Sequence, residues 1–248
     1  MTADGPIPRR VIVTGALGGI GGAVAEAFAD AGADVRGIDV RVADPAGPVA
    51  CVAPADLADA AAAAAAVAQA ADELGGVDVV VNAAGASGRS HGDGPVHLVS
   101  DEGWRWTLGA NLDSTFHVCR AAVPLLSAAG GGAIVNVSSV LGLGGDRDFT
   151  THAYAAAKGA VIALTRSMAV TYAPDRIRVN VVCPGLIDTP MSARAGADPA
   201  IRERLGELQP LTGTLGTPAD VAGAVMYVAT APFVTGAVLT CDGGWTAR

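Results

Sequence analysis

Tyr154 and Lys158 stand four residues apart in the segment Tyr-Ala-Ala-Ala-Lys. On a helix that spacing places both side chains on one face. An unperturbed phenol titrates at about 10 and an ammonium at about 10.4. A cation beside a phenol favours the phenolate, so the pair is expected to hold a tyrosine of lowered pKa that can pass a proton. The chain has 16 Lys and Arg residues, and Lys158 is the one lysine among them. The plain alternative is a surface lysine on an amphipathic helix, but every other basic side chain here is arginine. A guanidinium is wide and planar, whereas an ammonium is a compact charge with three donors, so the lone lysine reads as a choice of shape. Ser138 and Ser139 close an apolar run, and either hydroxyl could hold the oxygen of a carbonyl or an alcohol. No Gly-x-Ser-x-Gly surrounds them, and His91, His97, His117 and His152 lack the context of a hydrolytic triad. His152, two residues from Tyr154, either lines the same site or simply opens the helix.

A second group could hold a nucleotide. Thr14 to Gly21 reads Thr-Gly-Ala-Leu-Gly-Gly-Ile-Gly, directly after a β-branched run. Gly15, Gly19 and Gly21 permit a tight turn and close approach of backbone to a ligand. At a helix N-terminus, free N–H groups and the dipole favour a pyrophosphate. In a chain with 33 glycines such a turn is weak alone, but Asp39 ends the next strand 18 residues beyond Gly21. A carboxylate there accepts from an adenosine ribose and repels a 2′-phosphate, so NAD(H) is expected over NADP(H). Arg36 and Arg41 are the side chains able to swing toward such a phosphate. Asn82-Ala83-Ala84-Gly85 offers small residues where a ligand could lie flat. Asp56 could bond an adenine amino group or cap the alanine-rich helix after it.

The elements that must position these residues alternate along the chain. Apolar strands are expected at Arg10–Thr14, Asp34–Asp39, Val49–Ala53, Val77–Asn82, Ala133–Ser138, Ile177–Val182 and Gly236–Thr240. Helices are expected at Gly18–Ala31 (with Gly32 as its C-terminal stop), Leu57–Leu74, Asp101–Ser127 with an interruption at Pro124, His152–Tyr172 and Pro218–Thr230. Continuously apolar strands alternating with helices predict a doubly wound α/β fold, a parallel sheet of about seven strands with helices on both faces. No linker or repeat divides the 248 residues, so one domain is expected, with a flexible N-terminus over residues 1–6. The glycine-rich, charged stretch Ala86–Gly94 reads as a mobile loop.

Composition excludes several classes. The net charge is −8, and no arginine cluster supplies the basic face that duplex nucleic acid or an anionic membrane requires. The charge-free stretches Ala121–Gly145 and Val221–Cys241 are broken by proline, glycine and polar residues, so each reads as helix, loop and strand rather than a membrane span. Cys51, Cys119, Cys183 and Cys241 lie far apart with no Cys-x-x-Cys, which argues against a metal site and for reduced thiols in a cytoplasmic protein.

In order, TGALGGIG, NAAG, NLDSTF, IVNVSS, YAAAK and CPGLIDTPM resemble the short-chain dehydrogenase/reductase family in its single-domain Rossmann-type form, over about residues 7–246. The resemblance implies hydride transfer between NAD(H) and a secondary alcohol or ketone. It implies Tyr154 as proton donor or acceptor and Lys158 as a ribose ligand that lowers the tyrosine pKa. Ser139, or Ser138 in its stead, would orient substrate, and Asn111 would support a water-linked proton relay. The serine-to-tyrosine stretch is about two residues longer than the family's usual one. Implied cofactor contacts are Gly15, Leu17, Gly19, Ile20, Asp39, Asp56, Leu57, Asn82, Ala83, Gly85, Pro184, Gly185, Ile187 and Thr189. Residues 190–212 would form a lid, and Asp242-Gly243-Gly244 resembles an ending used in tetramer contacts, so a homotetramer or homodimer is expected. Two rival readings are an NADPH-dependent ketoreductase of acyl thioesters or polyketides and a non-catalytic dinucleotide sensor, for which the Tyr154–Lys158 pair would be superfluous.

Overall fold

The computed structural model describes residues 8–42, 49–50 and 54–248. Six strands, β1 (Arg10–Thr14), β2 (Asp34–Ile38), β3 (Val79–Asn82), β4 (Gly132–Val137), β5 (Ile177–Pro184) and β6 (Val238–Cys241), form one parallel sheet in the order β2-β1-β3-β4-β5-β6. The doubly wound expectation holds. The extra strand expected at Val49–Ala53 falls mostly outside the described residues. Ala50 accepts a hydrogen bond from Gly37 N at 2.8 Å, which places it beside β2. The N-terminal segment 1–6 also lies outside them.

Helices α1 (Gly19–Asp30), α2 (Ala60–Leu74), α3 (Asp101–Leu108), α4 (Ser114–Ala128), α5 (His152–Thr171), α6 (Ala193–Ala197), α7 (Pro199–Glu203), α8 (Leu205–Leu208) and α9 (Pro218–Thr230) connect the strands. Helices α1 and α9 cover one face, where Phe28, Val24, Val221 and Val225 pack on Val11, Val13 and Val135. On the other, α2, α4 and α5 bury Val67, Leu126 and Met168 against Ile12, Val80 and Ile134. The alanine tract is a packed helix because Ala63, Ala66, Val67, Ala70 and Ala71 form one buried stripe at helical spacing. None of the described helices is long and apolar enough to cross a membrane.

Two helix expectations need correction. The segment after Asp101 is not interrupted at Pro124, which lies inside α4. Proline forfeits one backbone bond, but buried Cys119, Ala122 and Leu126 hold the helix across it. The break comes earlier, as a π-type turn at Gly109–Asp113 between α3 and α4. The alanine-rich helix starts at Ala60, not Leu57, because Asp59 caps it by accepting from Ala61 N (2.9 Å) and Ala62 N (2.8 Å). Asp56 is therefore not its cap.

Strand register sets the site. Thr14 pairs with Asn82, and Asn82 with Asn136, so β1, β3 and β4 end nearly level. The strand order reverses between β1 and β3, which opens a crevice at their carboxyl ends. A buried polar ladder locks that edge. Asn82 Nδ2 donates to Asn136 Oδ1 (2.8 Å), Asn136 Nδ2 donates to Thr165 Oγ1 (2.8 Å), and Thr165 Oγ1 donates to Val161 O (2.8 Å). Thr165 thus joins α5 to the sheet. Thr165→Val keeps the shape but strands the buried Asn136 amide, so urea unfolding should show a loss of about 1–3 kcal/mol.

Candidate active site

The turn after β1 works because of Gly15. Its φ is +66°, its N–H donates to Ile38 O at 2.8 Å, and a Cβ there would lie 2.8 Å from Ala84 Cα. Only glycine lets this turn nest against the Ala83–Gly85 loop. Helix α1 then starts at Gly19, after Gly18 as N-cap, with no side-chain cap and no acid in its first turn. Its leading amides at Gly19 and Ile20 suit a pyrophosphate.

Asp39 is buried beside this turn. Its carboxylate accepts from Leu17 N (3.0 Å), from Arg41 N (3.0 Å), and from Arg41 Nε (2.9 Å) and Nη2 (3.1 Å). Burial pushes its pKa up, but the Arg41 fork and the two backbone N–H groups outweigh it, and the carboxyl is held below its usual range. Arg36 points elsewhere, to Glu73 at 2.9 Å. Asp56 is exposed and accepts from Ala58 N (2.9 Å), while Ala55 N donates to Asp39 O (3.0 Å) and keeps the segment near. Of the other expected cofactor contacts, Leu57 is buried in the core beside α2, with its carbonyl against His117 Nδ1 (3.1 Å), and Asn82 gives its Nδ2 to the polar ladder.

At the other end of the crevice the structure gathers Asn111, Gly85, Lys158, Ser139 and Tyr154. Asn111, in the π-type turn, accepts from Ala86 N (3.2 Å) and donates to Ala86 O and Thr107 O (both 2.9 Å). A Cβ on Gly85 would lie 2.7 Å from Asn111 Oδ1 and 3.2 Å from Lys158 Nζ, so backbone, amide and ammonium share one small space. The ammonium is buried, donates to Val137 O at 3.0 Å, and lies 5.5 Å from the Tyr154 ring centre. The two serines divide. Ser138 Oγ donates to Lys158 O (2.7 Å), whereas the Ser139 hydroxyl accepts from Leu141 N (3.2 Å) and lines the cavity with Tyr154, close enough to favour its phenolate.

The electrostatics correct the expectation of a lowered tyrosine. Burial pushes the Tyr154 phenol up to about 12 against the opposing Ser139 bond, and burial pulls the Lys158 ammonium down to about 8. Desolvation dominates the shift of the phenol, and the neighbouring ammonium donates to the Val137 carbonyl.

Several residues without a sequence signal hold the site. Asp93 is buried and accepts from Ala153 N and Tyr154 N (both 2.9 Å), closing the start of α5 from a distant loop. That loop is not the free segment its glycines suggested. It forms a turn at Gly88–His91, and the His91 ring stacks on Trp106 at 3.5 Å. His152 is exposed and takes Val96 N at 2.9 Å, so it does not line the cavity. Buried Gln209 accepts from Leu186 N (2.6 Å) and donates to Thr214 O (2.7 Å), fixing Pro184–Ile187. Thr189 lies against Gly19, where a Cβ would come within 2.6 Å of its methyl group.

A cavity of about 160 Å³ opens beside Tyr154 and Ser139, between Pro184–Thr189, the 140–151 loop and α6. Ile20, Gly185, Ile187 and Thr189 reach it from the nucleotide side.

Comparison with known proteins places the chain among relatives along nearly its whole length. A family model described as enoyl-(acyl carrier protein) reductase matches residues 15–246. The chain is 41% identical to cis-4-hydroxycyclohexanecarboxylate dehydrogenase of Sinomonas cyclohexanicum, covering 96% of this chain and 97% of that one. It is 38% identical to 2-(R)-hydroxypropyl-CoM dehydrogenase of Xanthobacter autotrophicus, covering 96% and 99%. A solved short-chain type dehydrogenase/reductase from Mycobacterium ulcerans is similar at 30% identity and a TM-score of 0.88, covering 97% and 90%.

The buried ammonium should carry a stability cost with a defined pH window. Because its folded pKa is lowered to about 8, the charged form burdens the folded state below that pH. The burden fades as pH rises toward the unfolded value of about 10.4. Lys158→Met should therefore match or exceed the parent in thermal stability at pH 6.5, by up to about 3 kcal/mol, with the gap closing toward pH 10. Melting curves across that range check it.

Proposed function

The chain belongs to the short-chain dehydrogenase/reductase family and is an oxidoreductase of CH–OH groups that uses NAD(P)(H), and from that premise we propose that it interconverts a secondary alcohol and a ketone with NAD(H), Tyr154 serving as the proton donor or acceptor. The observation that carries this reading is that Tyr154 and Ser139 line the cavity adjoining the glycine turn, with the Lys158 ammonium 5.5 Å from the Tyr154 ring centre. The dinucleotide supplies or accepts the hydride. Ser139 holds the substrate oxygen against the phenol. Tyr154, neutral at pH 7 by its raised pKa, is ready to donate in the ketone direction. Lys158 places a positive charge beside Gly85 and Asn111, where it binds ribose hydroxyls, and Asn111 holds the Ala86 backbone that floors this end of the crevice. The first-turn amides of α1 take the pyrophosphate, and Asp39 takes the adenosine ribose.

The cofactor preference rests on Asp39. Its carboxylate stands at the end of β2 with Leu17 N–H, where a 2′-phosphate would meet like charge. Arg41 supports a second reading, an NADPH-dependent ketoreductase, because its fork already neutralises that carboxylate. The NAD(H) reading prevails while Asp39 holds the guanidinium in place. A homo-oligomer and a cytoplasmic location belong to the same proposal.

Tyr154→Phe should lower kcat for alcohol oxidation by about 100-fold to 10,000-fold, while NADH binding stays near that of the parent. Full activity in that variant sinks the assignment. The parent should bind NADH more tightly than NADPH. Asp39→Ser removes the repulsion and frees Arg41, so titration should then show NADPH affinity improved by about tenfold or more. A parent that prefers NADPH decides for the second reading.

A further inference from the structure

The far side of the cavity has a charge pattern that the proposed hydride chemistry does not explain. Its lining includes two guanidiniums, Arg89 and Arg194, and no Asp or Glu. That runs against a chain of net charge −8. Arg89 follows Gly88 in the anchored loop after β3, is partly buried, and makes no side-chain hydrogen bond or ion pair among the described residues. Asp93 lies within electrostatic reach of it, but both its oxygens are taken by the α5 amides. Arg194 comes from α6 in the lid segment, and its one ion pair among the described residues is a loose, exposed one with Asp198 at 3.9 Å. Burial and then repulsion from Arg194 push Arg89 below the usual guanidinium range, so the two charges share one space at a cost. An anion between their forks would relieve that cost and satisfy planar donors suited to an oxyanion. Val140, Leu141, Phe149, Met191 and Trp245 give the wall a broad apolar surface, with the neutral hydroxyls of Ser87, Thr151 and Ser192 beside the arginines.

We propose that the cavity takes a secondary alcohol, or its ketone, whose apolar body carries a compact oxyanion, a carboxylate or a sulfonate, with the reacting oxygen at Tyr154 and Ser139 and the oxyanion on Arg89 and Arg194. This rests on the oxidoreductase reading above and names the substrate class of that site. In oxidation the carbinol C–H leaves as hydride to the oxidised dinucleotide, the O–H proton leaves through Tyr154, and the oxyanion is unchanged. Neither arginine touches the reacting atoms. They select the substrate and set its reach.

The test uses the full chain with NAD+ and matched pairs: 3-hydroxybutyrate, 5-hydroxyhexanoate and 7-hydroxyoctanoate, each against its methyl ester, with a sulfonate analogue of the best acid as a separate arm. One acid should exceed its ester in kcat/KM by about tenfold or more, and its KM alone should rise with added salt. Arg89→Gln and Arg194→Gln should each cut the acid-to-ester preference by about tenfold, through KM rather than kcat, while Arg89→Lys restores part of it. An ester preferred to its acid, or a preference that neither substitution changes, overturns the anion proposal and leaves the oxidoreductase reading standing. Calorimetric binding of 5-oxohexanoate and its methyl ester to the NADH complex gives an independent measure. Equal affinities overturn the proposal even where no probe turns over. Loss of the oxidoreductase reading would show instead as full activity of Tyr154→Phe or as no binding of either dinucleotide.

Discussion

A single ammonium is buried at the carboxyl edge of the sheet, and much of the site is arranged around it. Removing a charge from water costs several kcal/mol unless geometry compensates. Lys158 has no carboxylate partner among the described residues; its Nζ bonds the Val137 carbonyl at the end of β4. That one bond leaves the ammonium under-compensated, as its lowered pKa shows, and the backbone on either side is packed closely around the residue. Ser138 Oγ binds the Lys158 carbonyl, and a Cβ on Gly142 would fall 2.7 Å from the Lys158 carbonyl carbon. The loop after β4 and the middle of α5 are thus clamped together. Tyr154, one turn earlier on the same helix, is held by the same clamp.

The clamp works because α5 is seated along its length. Ala157, Lys158, Val161, Ile162, Thr165 and Met168 form its buried stripe, so polar seats alternate with apolar packing. Thr165 meets the sheet through Asn136, and Asp93 ties the first amides. By contrast, the opposite wall of the cavity is faced by α6 and backed by α7 and α8, each five residues or fewer. Helices that short draw little stability from their own backbone bonds. Their order is imposed from outside. Gln209 fixes the chain after α8, and Arg204 joins Asp146 (3.0 Å) and Asp148 in the facing loop. A rigid wall carries the proposed proton chemistry, and a wall held by side-chain ties carries substrate recognition.

How much of this was legible in the sequence depended on how local the cause was. Helix α9 runs from Pro218 to Thr230 as its proline start and apolar period indicate, and β1 follows its β-branched run. The Tyr154–Lys158 face follows from spacing alone. Three things needed the fold. Whether Asp56 or Asp59 caps α2 depends on which carboxylate meets the first amides, and both lie in the same acidic approach. Which serine acts on Tyr154 depends on the twist after β4: both serines border the cavity, but the Ser138 hydroxyl is committed to the Lys158 carbonyl. The sign of the tyrosine shift depends on burial, and a spacing rule shows only the neighbouring charge. Asp93 was least legible of all, because it acts across 60 residues on the start of another element.

The chain divides its two kinds of cation by the acceptors each meets. Arg10 forks Asp78, Arg41 forks Asp39, Arg36 meets Glu73 and Arg204 meets Asp146, all through planar N–H donors facing carboxylates. Arg178, the more buried case, meets main-chain oxygens of Val228 and Ala229 instead. A guanidinium carries five N–H donors that cannot be folded away. At Lys158 the described residues give the cation one carbonyl, with Gly85 pressing on the ammonium and Gly142 on the residue's main chain. An arginine there would have to leave most of its donors unpaired in a buried space or displace the backbone around it. An ammonium can turn its remaining protons toward the crevice, where ribose hydroxyls are proposed to lie. The rarity of lysine in the chain and its one position are then separate facts joined by geometry: composition makes arginine the default cation, and this narrow, carbonyl-ended space is where the default does not fit.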